Sequence, residues 1–230
     1  MEIDLFSVIT EWLPYLLGGV VVTVGLVASA LIIGACLGLP MAIGQVYGSR
    51  PVKYVIGLYV WFFRGLPVLV LLFMFYFTIF PLLDPNIDAF VVGAVVLGLR
   101  GAAYQSQIFR GAIQSISEGQ MTAARSLGMS RVMAIRTIII PQAVRIALPG
   151  WSNEYPNILT DSAICYAIGV AELLTRTSQI VAQTYITMPI YLLCALMFIL
   201  LNLAGMRVIA YLEKRVAIPG FSGGSHTGIV

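Results

Sequence analysis

Four ionisable residues interrupt apolar stretches of the chain, where a charge is costly. They are Arg64, Arg100, Glu154 and Asp161. An ionisable side chain in such a setting is by default a candidate for ligand binding. An arginine together with two carboxylates has the chemistry to hold a zwitterion, because the cation pairs with a carboxylate and the anion with an ammonium group.

The candidate binding residues fall in two parts of the chain. Arg64 and Gly65 precede a proline, and glycine and proline together break a helix and free backbone groups to meet a ligand. Glu154 and Asp161 are seven residues apart, close to two helical turns, so they can face the same side of a helix. These ionisable residues also have alternative, structural roles. The arginines can instead form structural ion pairs or reach the membrane surface, and Glu154 can lie at the outer interface.

The composition argues against other kinds of chemistry. Charged residues make up 10% of the 230 residues, and the net charge of +3 is too small to indicate nucleic acid binding. The three cysteines lie in apolar segments and His226 stands alone, so free thiols and no metal site are predicted. We see no nucleophile–base pair and no Gly-rich phosphate loop. The chain is therefore predicted to be no enzyme and to bind no cofactor itself.

Long apolar stretches dominate the chain, whose mean hydropathy is +0.96. No charged residue lies between Glu11 and Arg50, which is more than the ~20 residues that cross a bilayer. The pattern predicts an all-α membrane protein of about five transmembrane helices. Their predicted bounds are 14–46, 54–80, 89–112, 137–157 and 186–211. Residues 158–184 are predicted to form shorter helical pieces at membrane depth, in which Glu172 and Arg176 pair on a helix surface.

Small residues recur every four positions in the first predicted helix, at Ala30, Gly34 and Gly38. This spacing is typical of a face on which another helix packs closely, although it also arises by chance in a glycine-rich segment. We expect one transmembrane domain over residues 1–218 and a disordered tail over residues 219–230.

The basic residues predict the orientation. Arg50 and Lys53 follow the first helix, three arginines follow the third, and Lys214 and Arg215 follow the last. Basic loops face the cytoplasm, and these fall on one side only if the chain crosses five times. The N-terminus is then outside and the C-terminus is cytoplasmic.

A polar segment after the third helix is predicted to contain a helix of about two turns. Glu118 and Gly119 begin it and Gly128 follows it. An acidic residue suits a helix start, and glycine suits the left-handed position after a helix end.

The surface of this short helix is suited to a partner. Ala123 and Ala124 offer little bulk, so another surface can come close, and Met121 and Leu127 offer apolar anchors. The segment is either a docking element or an ordinary amphipathic connector.

The stretch that begins at Gly119 resembles the EAA loop of binding-protein-dependent ABC importer permeases. It reads GQMTAARSLGMSRVMAIRTIIIPQAVRIALP. The positions that match are Ala123, Ala124, Gly128, Ile138 and Pro141. Thr122 stands where the family usually has Glu.

Further motifs are similar to those of the polar amino acid uptake group of this family and occur in the same order. They are FRGLPVLV at 63–70, AYQSQIFRGAI at 103–113, LTDSA at 159–163 and IGVAEL at 168–173. Gln107 and Thr160 replace a Glu and a Lys of the group. The resemblance covers roughly residues 15–215.

The resemblance implies a type I ABC importer (MetI-like) transmembrane domain in the inner membrane. Its partners would be two cytoplasmic ATPase subunits that hold ATP and Mg, an outer substrate-binding protein, and a second permease subunit, identical or not. The loop at 116–131 would couple to the ATPase. The residues expected to do so are Glu118, Gly119, Thr122, Ala123, Ala124 and Gly128.

The resemblance also implies a polar amino acid as substrate. Acidic residues matching Glu154 and Asp161, and a glycine matching Gly65, are associated with bound amino acid in this group. With Arg64, they form the predicted binding set. Two acids and no lysine at position 160 favour arginine, lysine or histidine.

Two other functions remain open. An ion-coupled secondary transporter is one, although such carriers usually contain internal repeats and none is visible here. An ABC permease for another small polar solute, such as an opine, an acidic amino acid or glutamine, is the other.

Overall fold

In the computed structural model the described residues are 5–216, and their regular elements are helices. Ten of these elements are α-helices. They are α1 (Leu5–Tyr47), α2 (Arg50–Gly65), α3 (Val68–Met74), α4 (Ala89–Ser115), α5 (Glu118–Ser126), α6 (Arg131–Ala134), α7 (Ile140–Ser152), α8 (Glu154–Ser162), α9 (Leu173–Thr184) and α10 (Thr187–Val216). The tail predicted at 219–230 lies outside the described residues.

Short turns of other helix types continue three of these helices. A π-helical turn at Phe75–Ile79 and a 3-10 turn at Phe80–Leu82 extend α3. A second π-helical turn, Ile135–Ile139, joins α6 to α7, and a 3-10 turn at Ala163–Ile168 extends α8. Each therefore belongs to a longer, continuous helical path.

The number of membrane-crossing segments agrees with the prediction. Four single stretches within residues 5–216 are long and apolar enough to cross a membrane, and two bent helix pairs raise the possible number to six. The single stretches are Thr10–Tyr47, Ala89–Ser115, Arg131–Ser152 and Thr187–Arg215. The predicted all-α membrane fold of about five transmembrane helices is confirmed.

The second crossing is broken where the sequence places glycine and proline. α2 ends at Gly65, and Leu66 has an extended backbone with φ −102° and ψ 142°. The residue before a proline avoids helical backbone, because the ring of Pro67 would clash with it. As a result, α2 and the stretch Val68–Leu82 meet at an angle of 107°.

The chain stays beside α4 after the fourth single stretch, Arg131–Ser152, has ended. Three contacts show this, Gly150 beside Ile108, Ile158 beside Gly101, and Cys165 beside Gly93. Residues 131–168 therefore run antiparallel to α4, with an interruption at Asn153. The shorter helical pieces predicted for residues 158–184 are observed as the end of α8, the 3-10 turn and α9.

α1 and α4 pack closely at two of the small residues noted in the sequence. A Cβ atom added to Gly38 would lie 3.1 Å from the backbone nitrogen of Ser106 and 3.2 Å from the carbonyl oxygen of Ala102. One added to Gly34 would lie 3.3 Å from the carbonyl carbon of Gly101. The spacing of small residues therefore marks a close helix–helix contact and is not a chance occurrence.

The two ends of the bundle contain different elements. At one end, Leu16 of α1 shares an apolar cluster with α9 and with Ile190 of α10. At the other, Ala42 of α1 shares a cluster with the end of α4 and with Ile139. Arg131 lies over the Tyr47 ring, 5.4 Å from its centroid, at this second end. The basic turn after α1 and the arginines around α5 and α6 are thus at the same end.

Replacing Gly38 with alanine tests the α1–α4 contact. Because the new methyl group meets backbone atoms that cannot rotate away, we expect Gly38→Ala to destabilise the fold by about 1–3 kcal/mol. The matched control is Gly57→Ala in α2, where an added Cβ meets no atom within 4 Å. The control should be neutral or slightly stabilising. Thermal unfolding of the purified chain in detergent compares the two. Equal unfolding midpoints for Gly38→Ala and Gly57→Ala would show that the α1–α4 contact tolerates a side chain.

Candidate functional site

A polar cavity of about 360 Å³ lies between α4 and α8, midway along α4. α4, the most enclosed of the long helices, supplies one wall, and α8 supplies the other. The lining residues are Leu97, Arg100, Gly101, Tyr104, Glu154, Asn157, Ile158, Thr160 and Asp161. Such a concentration of polar groups at membrane depth marks a candidate ligand site.

An ion pair spans the cavity from α4 to α8. Arg100 donates a hydrogen bond to the carboxylate of Asp161, and their side chains are 22% and 19% exposed. The Arg100 guanidinium also lies over the Tyr104 ring, 4.8 Å from its centroid. The charge of Asp161 is thus already met by a group of the same chain.

Glu154 is the second carboxylate of the cavity and is less exposed. It begins α8 and is 7% exposed. It has a side-chain hydrogen bond with Asn157 but forms no ion pair with another residue in the part of the chain that the structure describes. A nearly buried carboxylate without a cationic partner favours a positively charged group in the cavity, because its charge is otherwise poorly solvated.

The predicted binding residues reach this cavity to different degrees. Glu154 and Asp161 both line it, as their spacing predicted. Arg64 contacts its wall through Tyr104, with its guanidinium 4.8 Å from the ring centroid, and its charge acts on Glu154. Gly65 does not line the cavity.

Sequence reasoning missed two of the polar lining side chains and left a third undecided. Tyr104 and Asn157 were not singled out, and Arg100 was left between a ligand-binding role and a structural ion pair. The missed signal is helical spacing, since Tyr104 lies one turn after Arg100, and Asn157 lies one turn after Glu154.

A buried amide ties the cavity to the neighbouring helices. Gln105 is completely buried, and its side-chain oxygen accepts a hydrogen bond of 2.7 Å from the indole N–H of Trp151. Its amide nitrogen lies against Gly34 of α1 and donates to no partner. Gln105 therefore links α1, α4 and the end of α7, next to the break at Asn153.

Glu172 and Arg176 do not form the predicted surface pair. Glu172 is completely buried and caps α9, since its carboxylate accepts hydrogen bonds from the backbone N–H groups of Leu174 at 2.8 Å and Thr175 at 2.6 Å. Arg176 instead donates to the carbonyl oxygen of Tyr15 at 2.9 Å. The prediction was wrong because α9 begins after Glu172, so the two residues do not share a helix face.

α5 has the bounds that its sequence predicted. The helix runs from Glu118, and the Ser117 hydroxyl accepts a hydrogen bond of 3.3 Å from the backbone N–H of Gly119. Gly128 has a positive φ of 81°, the left-handed conformation that ends the helix.

The exposed face of α5 is smaller than predicted. Ala123 is exposed and Leu127 is 83% exposed, but Ala124 is only 1% exposed and faces the chain itself. Met121 packs against the apolar cluster around Ile113. The expectation that both alanines and both anchors face outward is therefore wrong for Ala124 and Met121, because α5 packs against α6, the π-helical turn Ile135–Ile139 and the end of α4.

Membrane-crossing helices around a polar cavity, with a short exposed helix at one end, define a membrane transport subunit. Residues 34–218 match the family described as "Binding-protein-dependent transport system inner membrane component", and the chain belongs to that family. It is thus a permease subunit of an ABC transporter and a multi-pass inner membrane protein.

Individual relatives cover nearly the whole chain. The probable glutamine ABC transporter permease protein GlnM of Bacillus subtilis (strain 168) is 32% identical over 180 residues, 78% of this chain and 83% of the relative. The arginine transport system permease protein ArtQ of the same organism is 31% identical over 216 residues, 94% of this chain and 96% of the relative.

A solved structure has the same fold. The chain matches the "Crystal structure of an amino acid ABC transporter with histidines" with a TM-score of 0.81 and 34% identity, over 94% of this chain and 100% of that chain. This similarity confirms the fold predicted from the sequence.

Removing one partner of the ion pair tests how much the fold depends on it. In Asp161→Leu, Arg100 remains in a mostly enclosed site without its carboxylate, so we expect a loss of about 1–3 kcal/mol in the free energy of unfolding. The double variant Arg100→Met with Asp161→Leu should recover most of it, because it leaves no unpaired charge. Thermal unfolding in detergent measures this cycle. The control is Asp84→Leu in the exposed turn before α4. If Asp161→Leu lowers the free energy of unfolding no more than Asp84→Leu does, the fold does not depend on the ion pair.

Proposed function

We propose that this permease imports polar amino acids, with a preference for basic ones. The observation that carries the proposal is the cavity in which Arg100 and Asp161 pair and Glu154 stays without a cation. Its volume of about 360 Å³ lies within the range of small-molecule sites. The names of the relatives, which include amino acid transporters, support this substrate class.

The charges in the cavity support a basic ligand. One arginine and two carboxylates line it, so its net charge is −1. In the proposed complex, the ligand carboxylate binds at the Arg100 end, and Glu154 receives an ammonium or guanidinium group. Asn157 and Thr160 then supply neutral hydrogen-bonding groups to the rest of the ligand.

Glutamine is the second candidate ligand. Arg64 contacts Tyr104 of the cavity wall, and its charge acts on Glu154. When this second arginine is counted, the formal charge at the cavity is zero and a neutral zwitterion fits. The name of the relative GlnM is consistent with this alternative.

The proposed assembly adds three kinds of protein partner to this chain. Two ATPase subunits bind ATP and Mg and dock at α5, and a substrate-binding protein delivers the amino acid on the other side of the membrane. A second permease subunit covers α8. Asn153, Asn157 and Thr160 form an exposed polar stripe on α8, and polar groups at membrane depth need protein or water to cover them.

The proposed orientation has the N-terminus outside and the C-terminus in the cytoplasm. The grouping of the basic turn after α1 with the arginines around α5 and α6 at one end of the bundle supports it. Positively charged segments of this kind stay in the cytoplasm. α5 is then on the side where ATPase subunits reside.

Replacing Glu154 tests the preference for basic ligands. The complex is reconstituted in liposomes with its ATPase and binding protein, and ATPase stimulation and uptake are measured with arginine, lysine, histidine, glutamine and glutamate. We expect basic amino acids to stimulate ATP hydrolysis most strongly. Glu154→Gln should reduce arginine uptake at least about tenfold and glutamine uptake by less than about threefold. Only arginine loses a charged hydrogen bond in this variant.

The control for this experiment is Asp88→Asn in the turn before α4, far from the cavity. It removes one negative charge but leaves all the lining residues in place. Equal losses of arginine and glutamine uptake in Glu154→Gln would count against a basic ligand. Strongest stimulation by glutamine in the unchanged complex would favour the alternative.

Adding bulk to the exposed face of α5 tests the docking of the ATPase. In Ala123→Trp, the indole would hold the partner surface away, so we expect about tenfold less ATPase to co-purify with the permease. Ala210→Trp on the exposed face of α10 is the matched control, since tryptophan is well tolerated near a membrane interface. Unchanged co-purification in Ala123→Trp would place the ATPase elsewhere.

A further inference from the structure

The interruption at Asn153 stands directly before Glu154, the nearly buried carboxylate of the polar cavity. Two prolines flank it, Pro149 near the end of α7 and Pro156 in the first turn of α8. Proline has no backbone N–H, so neither residue can donate to a helical ladder. The backbone alone therefore holds this segment weakly, and its position depends on side-chain contacts.

α10 contacts the residues on both sides of Glu154. The Ser152 hydroxyl donates a hydrogen bond to the carboxylate of Glu213, near the end of α10. The Tyr155 hydroxyl donates one of 2.7 Å to the carbonyl oxygen of Leu201, also in α10. The start of α8 is therefore fixed between two contacts with a single helix.

The contact at Tyr155 depends on a glycine of α10. A Cβ atom added to Gly205 would overlap the Tyr155 ring, so the ring lies directly against the backbone of α10. This contact is apolar packing with one neutral hydrogen bond.

The contact at Ser152 involves a charge. Ser152 is 5% exposed, and its hydroxyl also lies 2.8 Å from the carbonyl oxygen of Leu148. A hydroxyl has a single hydrogen to donate, and a carboxylate is a stronger acceptor than a carbonyl oxygen. Glu213 is half-buried and forms no ion pair within residues 5–216. The serine hydroxyl is thus the partner that the structure gives to this carboxylate.

We propose that Glu213 is a positioning residue for the ligand site. Through Ser152 it holds the start of α8, and so it sets where the Glu154 carboxylate stands relative to Arg100 and Asp161. Ser152 and Glu213 do not line the polar cavity, so they act on the ligand only through Glu154. This inference rests on the proposed role of Glu154 in binding a basic ligand.

The ratio of arginine uptake to glutamine uptake by the reconstituted complex tests the proposal. We expect Glu213→Ala and Ser152→Ala each to lower this ratio at least about threefold, and the double variant to lower it no further, because both remove the same contact. Neither should lower the ratio again in Glu154→Gln, where the carboxylate that they position is absent. Glu213→Gln keeps an acceptor for the hydroxyl and should retain most of the ratio.

The matched control is Lys214→Ala, which removes a charge from the next residue of α10, where the side chain is exposed. It should leave the uptake ratio unchanged. Equal losses of arginine and glutamine uptake in Glu213→Ala would overturn the positioning role. A further fall of the ratio when Glu213→Ala is added to Glu154→Gln would do the same.

Fluorescence of Trp151 reports on the segment without any ligand. The purified full chain in detergent carries Trp12→Phe and Trp61→Phe, so Trp151 is its single tryptophan. Because Trp151 precedes Ser152, we expect Glu213→Ala to increase acrylamide quenching at least about twofold, as the segment loses one of its contacts. Glu213→Gln should leave the quenching nearly unchanged.

The two measurements separate this inference from the proposed function. If Glu213→Ala increases quenching but Glu154→Gln leaves the uptake ratio unchanged, Glu213 holds the segment and the proposed ligand preference is wrong. If Glu154→Gln lowers the ratio but Glu213→Ala changes neither the ratio nor the quenching, the proposed function stands and the positioning role is wrong.

Discussion

A polar group within a bilayer must find its partner inside the protein, because the hydrocarbon offers none. This constraint accounts for most of the specific contacts in the core of this permease. Arg100 pairs with Asp161, Gln105 accepts a hydrogen bond from Trp151, and Glu172 caps α9 while completely buried. The first two contacts join separate segments of the chain, so satisfying these polar groups also fixes the arrangement of the helices. Glu154, in the polar cavity, has Asn157 as a hydrogen-bond partner but no ion pair within residues 5–216.

Close packing of α1 against α4 gives the polar contacts a rigid frame. Glycines at the contact bring the two backbones together, and dispersion between closely packed helices replaces the hydrophobic effect that drives folding in water. The breaks lie outside this pair, at Leu66 in the second crossing and at Asn153 in the fourth. Both breaks are next to residues of the polar cavity or its wall. Movement of the segments on either side of a break can therefore change the cavity without separating α1 from α4.

α4 connects the two functional regions. Its middle carries Arg100 and Tyr104 of the polar cavity, and its end shares an apolar cluster with Met121 of α5. The buried hydrogen bond between Gln105 and Trp151 connects α4 with the end of α7, next to Asn153. In the proposed assembly, these contacts form a continuous route from the docking helix to the cavity.

The sequence by itself determined the features that depend on local composition. The apolar stretches predicted the membrane fold, because hydropathy is a property of neighbouring residues. Pro67 predicted the break in the second crossing and Gly128 predicted the end of α5, because both residues restrict the backbone locally. The ordered motifs identified the family. Only the tertiary structure decided which polar groups meet. It paired Asp161 with Arg100, turned Ala124 inward and buried Glu172 as a cap. These outcomes depend on residues far apart in the chain, whose distances are set by helix packing and which no local pattern encodes.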